Sequence, residues 1–284
     1  MFAAMSTAKL GDALGAAIDA LAAAGVDSPR LDAELMLEAA SGFSRSEIVA
    51  SPERELPSGA GSEFGRLVRR RAAREPVAYI LGRKGFRSIE LRCDRRALIP
   101  RPETELLVEI AVELQPSKVL DVGTGSGAIA LAVADEIPDC EVFATDLSPS
   151  ALALAAENAT SLGLAHRVTF ELASVPGEGP AFDLLLSNLP YVAEAEWPDL
   201  EPELREFEPP EALVPGPTGL EAIEELIRGP SGIASLGGPP PATALEVGEG
   251  QAGDVAEMLS EAGYGRIEVR RDLAGIERVV LGRR

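Results

Sequence analysis

From about residue 99 onward, short apolar runs alternate with segments of helical period, and that alternation constrains the fold of this chain more than any other feature. Lys118–Val122, Glu141–Thr145, Val168–Leu172, Phe182–Ser187 and Ala244–Val247 read as strands. Ala128–Glu136, Ala151–Ala159, Leu220–Ile227 and Asp254–Ala262 read as helices. Strand, helix, strand in repetition favours a parallel sheet with helices on both faces. Ile267–Arg270 and Glu277–Leu281 are separated by only a short turn, which makes them an antiparallel pair at the end. The expected class is α/β over residues 99–284.

Residues 1–84 differ in character. Leu10, Leu14, Ile18 and Leu21 share one helical face. Ser28-Pro29 offers an N-cap followed by proline at the first helical position. Leu31, Leu35, Met36 and Ala39 are expected to form the apolar stripe of that helix. Phe64, Leu67, Val68 and Ala72 form another, with Arg66, Arg69, Arg70 and Arg71 mostly outside it. These segments predict a small helical bundle. Residues 85–98 then change period: Ile89, Leu91 and Cys93 alternate with Glu90 and Arg92, and Asp94-Arg95-Arg96 offers a turn, so a β-hairpin linker is expected.

The net charge is −20, which opposes nonspecific binding to nucleic acid and suits a basic protein partner. Cys93 and Cys140 are far apart and the chain has one histidine, so no Cys/His zinc site is available and no metal is expected. Asp12 and Asp19 interrupt the apolar N-terminal stretch, unlike a signal peptide. The uncharged Gly229–Leu245 segment is rich in Pro and Gly, unlike a membrane span. A soluble, cytoplasmic protein with no membrane partner is expected.

Two strand ends carry the chemistry. After Lys118–Val122 comes Gly123-Thr124-Gly125-Ser126-Gly127, preceded by Asp121. Such a loop brings backbone N–H groups and a helix N-terminus to a ligand. Its spacing differs from the G-x-G-x-x-G of dinucleotide sites. Asp146 ends the next strand, where an acid grips ribose hydroxyls or caps the following helix. A nucleoside cofactor is expected, with S-adenosylmethionine (SAM) favoured over NAD.

After Phe182–Ser187 comes Asn188-Leu189-Pro190-Tyr191. An amide nitrogen is a weak nucleophile because its lone pair is delocalised. The Asn188 side-chain oxygen and the Leu189 carbonyl are suited to accept both of its N–H bonds. These bonds strengthen as the nitrogen gains positive character. Tyr191 supplies a flat face for a planar group. No strong base is required, and His166 is assigned no catalytic role.

With these motifs the chain resembles the PrmC/HemK family, SAM-dependent glutamine methyltransferases that modify peptide chain release factors. The resemblance covers nearly the full length. It includes Ser28-Pro29-Arg30-Leu31-Asp32-Ala33-Glu34, Arg74-Glu75-Pro76-Val77-Ala78-Tyr79-Ile80-Leu81-Gly82 and Phe86. It continues through Ile99-Pro100-Arg101-Pro102-Glu103-Thr104-Glu105, the glycine loop, Asp146 and Asn158. Phe207-Glu208-Pro209, Ala212-Leu213 and Glu277-Arg278-Val279-Val280 complete it. The resemblance implies a Rossmann-like methyltransferase domain after the helical bundle, which would dock the release factor. It implies methylation of the glutamine of a Gly-Gly-Gln motif. Gly123 to Gly127 and Asp146 would hold SAM, with Arg101, Pro102, Glu103 and Thr104 lining the pocket from the other side. Asn188 would serve both cofactor and substrate, and Asn188 to Tyr191 would hold the glutamine.

The chain departs from the family pattern twice. Leu189 stands where the family usually has proline, and Ala173-Ser174-Val175 lacks an acid that the family often places near the adenine. Eight acidic residues lie between Glu194 and Glu211, with Arg205 as the one basic residue, and read as a solvated loop or as an acidic lip for a basic partner. Competing readings are an adenine-N(6) nucleic acid methyltransferase and a catalytically silent SAM-binding protein. A monomer is the default.

Leu189 contributes a backbone carbonyl, and its position before Pro190 biases it to extended backbone. Leu189→Pro is therefore expected to keep methyl transfer within a few-fold of the parent. Abolished transfer in a folded variant would contradict that role.

Overall fold

The computed structural model describes residues 9–176 and 181–284. Residues 1–8, the start of the expected helical segment, lie outside the described residues. The chain divides into two compact units, Met1–Gly82 and Arg83–Arg284.

The first unit comprises α1 (Leu10–Ala23), α2 (Pro29–Ser41), α3 (Arg45–Ala50), α4 (Ala60–Ala72) and α5 (Val77–Leu81). Leu10, Leu14, Ala17 and Leu21 of α1 are buried, at the spacing of one helical face. They pack with Met36, Leu37, Ile48, Phe64 and Leu67. Pro29 occupies the first turn of α2, but Ser28 makes no side-chain cap hydrogen bond. The capping box is at α3, where the Ser44 side chain accepts from Glu47 N and Glu47 Oε2 accepts from Ser44 N.

The buried face of α2 is rotated from the expected stripe. Ala33, Met36 and Leu37 are buried, whereas Leu31 is 43% exposed and Ala39 is exposed. The cause is charge: Asp32 is buried and accepts from Arg71 Nε at 2.6 Å. Arg71, expected outside with its neighbours, is therefore inside. Glu34, also buried, accepts from Arg45 Nη2 at 2.8 Å and Arg30 Nη1 at 3.3 Å.

The second unit opens with a hairpin, β1 (Arg83–Phe86) and β2 (Ile89–Arg92). Its two-residue turn is Arg87-Ser88, with Arg87 at φ 51°. The expected reversal at Asp94–Arg96 is instead a local turn in which Asp94 Oδ1 accepts from Arg96 N at 3.0 Å. Next come α6 (Glu105–Leu114), β3 (Lys118–Val122), α7 (Ala128–Glu136), β4 (Glu141–Asp146), α8 (Pro149–Ser161), β5 (Val168–Leu172) and β6 (Leu184–Ser187). The chain ends with α9 (Pro202–Phe207), α10 (Glu221–Arg228), β7 (Ala242–Glu246), α11 (Ala252–Glu261), β8 (Arg266–Arg271) and β9 (Glu277–Arg283).

The seven strands β3 to β9 form one sheet in the order β5-β4-β3-β6-β7-β9-β8. The first five of that order run parallel, and β9 is antiparallel to both β7 and β8. Alternate strand residues feed two cores. Val119, Val142, Leu184, Leu186 and Ala244 pack with α6 and α7 on one face. Leu120, Val122, Leu185, Leu245 and Val280 pack with α10 and α11 on the other. Helix α6, not anticipated from the sequence, contributes Leu107, Val108, Ile110 and Ala111 to the first core.

Removing one partner of a buried ion pair strands the other charge, at a cost of about 3–5 kcal/mol. Asp32→Ala is expected to destabilise the helical unit by that amount in denaturant unfolding of the full chain. A loss no larger than that of Asp12→Ala, at an exposed position of α1, would contradict it.

Candidate active site

Strand order places β3 between β4 and β6, so the chain winds outward from β3 on one side and then returns to its other side. Open α/β sheets bind ligands at such a switch point, beyond the carboxyl ends of the strands. Val122 pairs with Ser187, and Ser187 Oγ donates to Val122 O at 2.7 Å. The residues that follow, Gly123 and Asn188, therefore leave the sheet side by side.

Gly123, Gly125 and Gly127 have φ of 73°, 56° and 85°, a region that disfavours side chains. A Cβ on Gly123 would also lie 2.9 Å from Leu189 Cδ2, so the non-proline side chain of the Asn-x-Pro-Tyr turn sits against the glycine loop.

Polar groups brace the loop from beneath. Asp121 is fully buried, and its Oδ2 accepts from Thr124 Oγ1 at 2.7 Å and Ala130 N at 3.1 Å. Burial pushes its carboxyl up to about 7, opposed by those two hydrogen bonds. Asp146 Oδ2 accepts from Gly125 N at 2.8 Å and Oδ1 from Ser148 N at 2.8 Å. The cap of α8 is Ser148, whose Oγ accepts from Ala151 N, so Asp146 joins the glycine loop, through Gly125 N, to the cap residue of that helix, through Ser148 N. Asn158 donates to Ser126 O at 2.9 Å and accepts from Arg92 N at 2.8 Å, tying the loop to the hairpin.

Opposite the loop, the Arg101-Pro102-Glu103-Thr104 segment forms a short 3-10 turn after Arg101. Asn188 Nδ2 donates to Thr104 Oγ1 at 3.0 Å. That bond turns the Asn188 carbonyl oxygen away from Thr104. Arg101 pairs with Glu208, whose Oε2 also accepts from Ile99 N at 3.0 Å. Burial raises the Glu208 carboxyl above its usual range, and Arg101 opposes that.

Tyr191 is fixed through its backbone: its carbonyl accepts from Gln251 Nε2 at 2.9 Å. Gly219, at φ 80°, passes so close that a Cβ there would lie 2.4 Å from the same oxygen. The Tyr191 hydroxyl reaches Glu246 Oε1 at 3.4 Å.

A cleft of about 580 Å³ opens between these elements, within the range of small-molecule sites. Arg101, Thr104, Gly123, Thr124, Gly125, Ser126, Asp146, Asn188, Leu189 and Pro190 line it. Pro102, Glu103, Gly127 and Tyr191 are not among its lining residues: the first two build the turn, Gly127 is the cap that precedes α7, and Tyr191 is held by Gln251 and Glu246. Ala173 and Ser174 also line the cleft, with Ser174 O accepting from Thr145 Oγ1 at 2.9 Å. His166 is exposed on a turn.

The acidic stretch divides in two. Glu203 and Glu208 are buried, while Glu194, Glu196, Asp199, Glu201, Glu206 and Glu211 are exposed. Among the described residues no cluster of His, Cys, Asp or Glu could hold a metal ion, and no helix is long and apolar enough to cross a membrane. Sequence reasoning gave no role to Glu208, Gln251 or Glu246. The available signal for Glu246 was an acid at the end of the apolar run Ala242–Leu245.

Folding favours the neutral form of Asp121. Its stabilising contribution is full below the ordinary value of 3.8 and is lost as pH rises through about 7. The melting temperature of Asp121→Asn, relative to the parent, is thus expected to rise across that window. A difference independent of pH would contradict the assignment.

Residues 12–82 match the family model of the PrmC N-terminal domain, and residues 119–208 match a methyltransferase domain model. The chain is 41% identical to the release factor glutamine methyltransferase of Cereibacter sphaeroides over 97% of this chain and 98% of that protein. It is 41% identical to that of Moorella thermoacetica over 97% and 98%, and 41% to that of Caulobacter vibrioides over 97% and 96%. Among solved structures, the hMettl16 catalytic domain, in complex with the MAT2A 3'UTR hairpin 6, matches with a TM-score of 0.53 and 15% identity over 76% of this chain and 81% of that one, a likeness of fold. With such identity over nearly its whole length to relatives from several bacteria, the chain belongs to the release factor glutamine methyltransferase family.

Proposed function

We propose that this chain transfers the methyl group of SAM to the side-chain amide nitrogen of the glutamine in the Gly-Gly-Gln motif of peptide chain release factors. One observation carries the reading beyond family membership. The glycine loop and Asn188 leave paired strands side by side, and Thr104 holds the Asn188 nitrogen so that its oxygen is left for a substrate N–H.

The cleft fits SAM. Its volume suits the molecule, left-handed glycines keep its floor free of side chains, and the Asp146 carboxylate is an acceptor suited to a ribose diol. In this reading Gly123 to Gly127 and Asp146 hold the cofactor, and Arg101 and Thr104 bound it from the other side. Pro102 and Glu103 act by shaping the turn that presents Thr104. Bound SAM supplies an electrophilic methyl group.

The residues of the chain then act on the nucleophile. Asn188 Oδ1 and the Leu189 carbonyl accept the two N–H bonds of the glutamine amide. The hydrogen bonds to both acceptors strengthen as the nitrogen gains positive character, and this is where the transition state is stabilised. Pro190 fixes the turn, and Tyr191 backs the amide plane. The methylated nitrogen is acidic enough to lose its proton without a strong base. The exposed acids from Glu194 to Glu211 form a negative rim for a basic partner, and the net charge of −20 disfavours a nucleic acid substrate. The helical unit is assigned to docking of the release factor, and the reaction is assigned to the cytoplasm, where a release factor works.

Incubation with labelled SAM is expected to label a purified release factor, but not the same factor with its Gly-Gly-Gln glutamine changed to alanine. Asn188→Ala is expected to lower kcat/KM on the order of 100-fold, as for loss of one preorganised transition-state contact. Equal labelling of both factors, or full activity of Asn188→Ala, would overturn the reading.

A further inference from the structure

Strand β6 pairs with β7 in parallel, with Ser187 opposite Leu245. The Asn-x-Pro-Tyr turn after β6 and the loop after β7 therefore leave the sheet as neighbours. That second loop carries Gln251, a half-buried residue immediately before α11. Its side-chain amide is used at both ends: Oε1 accepts from Gly248 N at 2.9 Å, and Nε2 donates to Tyr191 O at 2.9 Å. The backbone is cleared of side chains around this junction. A Cβ on Gly248 would lie 2.9 Å from Gln251 Oε1 and 3.2 Å from Tyr191 Cδ2, and one on Gly219 would lie 3.0 Å from Gln251 Nε2.

We propose that Gln251 is a positioning residue that aims the Leu189 carbonyl at the substrate by holding the backbone of Tyr191. The inference rests on the reading that this carbonyl accepts from a glutamine amide. The Gly248 N–H can only donate and the Tyr191 carbonyl can only accept, so one orientation of the Gln251 amide satisfies both. The same Tyr191–Val192 peptide group is held on its other edge, where Val192 N donates to Leu213 O at 2.9 Å. Without Gln251 that single bond remains, and the group can swing about it. The ring of Pro190 locks φ at that residue, so the swing is not absorbed there and passes on toward the Leu189 carbonyl. Among the described residues that carbonyl accepts no hydrogen bond of its own, so the chain on either side must aim it. Asn188 is fixed separately, through Thr104. The two acceptors are thus aimed from opposite ends of the turn, and a small misplacement of either lowers the rate of the chemical step.

The test uses the full-length protein with SAM and a purified release factor. Gln251→Glu keeps the size of the side chain but sets a carboxylate oxygen against the Tyr191 carbonyl. Its kcat at neutral pH is expected to fall about 10-fold, the scale of one hydrogen bond lost from the transition-state geometry. The opposed carbonyl holds the new carboxyl group above the ordinary carboxylate range. Once protonated, that group can donate to Tyr191 O while its other oxygen accepts from Gly248 N. The kcat of Gln251→Glu relative to the parent is therefore expected to recover as pH falls. Gln251→Met, similar in length but with no donor, is expected to stay low at every pH. The Kd for SAM is expected to be unchanged in both, because neither Gln251 nor Tyr191 lines the cleft.

Parent-like kcat in either variant at neutral pH, a Gln251→Glu to parent ratio that stays flat or falls with decreasing pH, or a loss of kcat matched by a loss of SAM affinity would overturn the inference. Should Gln251→Glu fail to fold, the kcat of Gln251→Met decides. A parent that binds SAM but transfers nothing to the release factor would overturn the proposed function, and this inference with it. A parent that labels the Gly-Gly-Gln glutamine, with Gln251→Met equal to it, would overturn this inference alone.

Discussion

Everything at the candidate site depends on the parallel pairing of β3 with β6. That pairing joins the first strand of the sheet in chain order, before the excursion through β4 and β5, to the strand that returns. Backbone hydrogen bonds between parallel strands fix register, and a one-residue slip would turn every side chain to the opposite face. Here the register sets Val122 opposite Ser187, so Gly123 and Asn188 emerge together. Leu189 packs against Gly123, and the absence of a side chain on that glycine is what makes the contact possible. A nucleotide-type loop and an amide-accepting turn thus share one wall.

Buried acids hold the surrounding loops in place. Asp121 braces the glycine loop through Thr124, Glu208 braces the Arg101 segment through Ile99 N and Arg101, and Glu246 meets the Tyr191 hydroxyl. Each sits where burial raises its carboxyl above the ordinary value. A chain of net charge −20 that keeps acids inside spends stability on geometry, as sites that need fixed dipoles do.

Much of this was legible in the sequence because periodicity and glycine placement report backbone directly. The strands Lys118–Val122 and Val168–Leu172 and the antiparallel closing pair follow from their patterns. The burial of Asp32 and Arg71 was not legible, because a charge is assigned to the surface unless its partner, 39 residues away, is known. That pair rotated α2 away from its expected stripe. The hairpin turn was misplaced to Asp94–Arg96 because Arg87-Ser88 carries no glycine or asparagine, although Arg87 adopts positive φ. At the site, Asp146, Asn188 and the glycines announced themselves by position. Glu246 and Gln251 did not, since their contacts with Tyr191 span 55 and 60 residues.

The most direct measurement is a crystal structure of the protein with S-adenosylhomocysteine and a release factor, or a peptide carrying its Gly-Gly-Gln motif. The account predicts the glutamine amide nitrogen within hydrogen-bonding distance of Asn188 Oδ1 and the Leu189 carbonyl, with the cofactor sulfur on the glycine-loop side. A glutamine bound elsewhere, or an Asn188 amide that turns its nitrogen to the substrate, would contradict it.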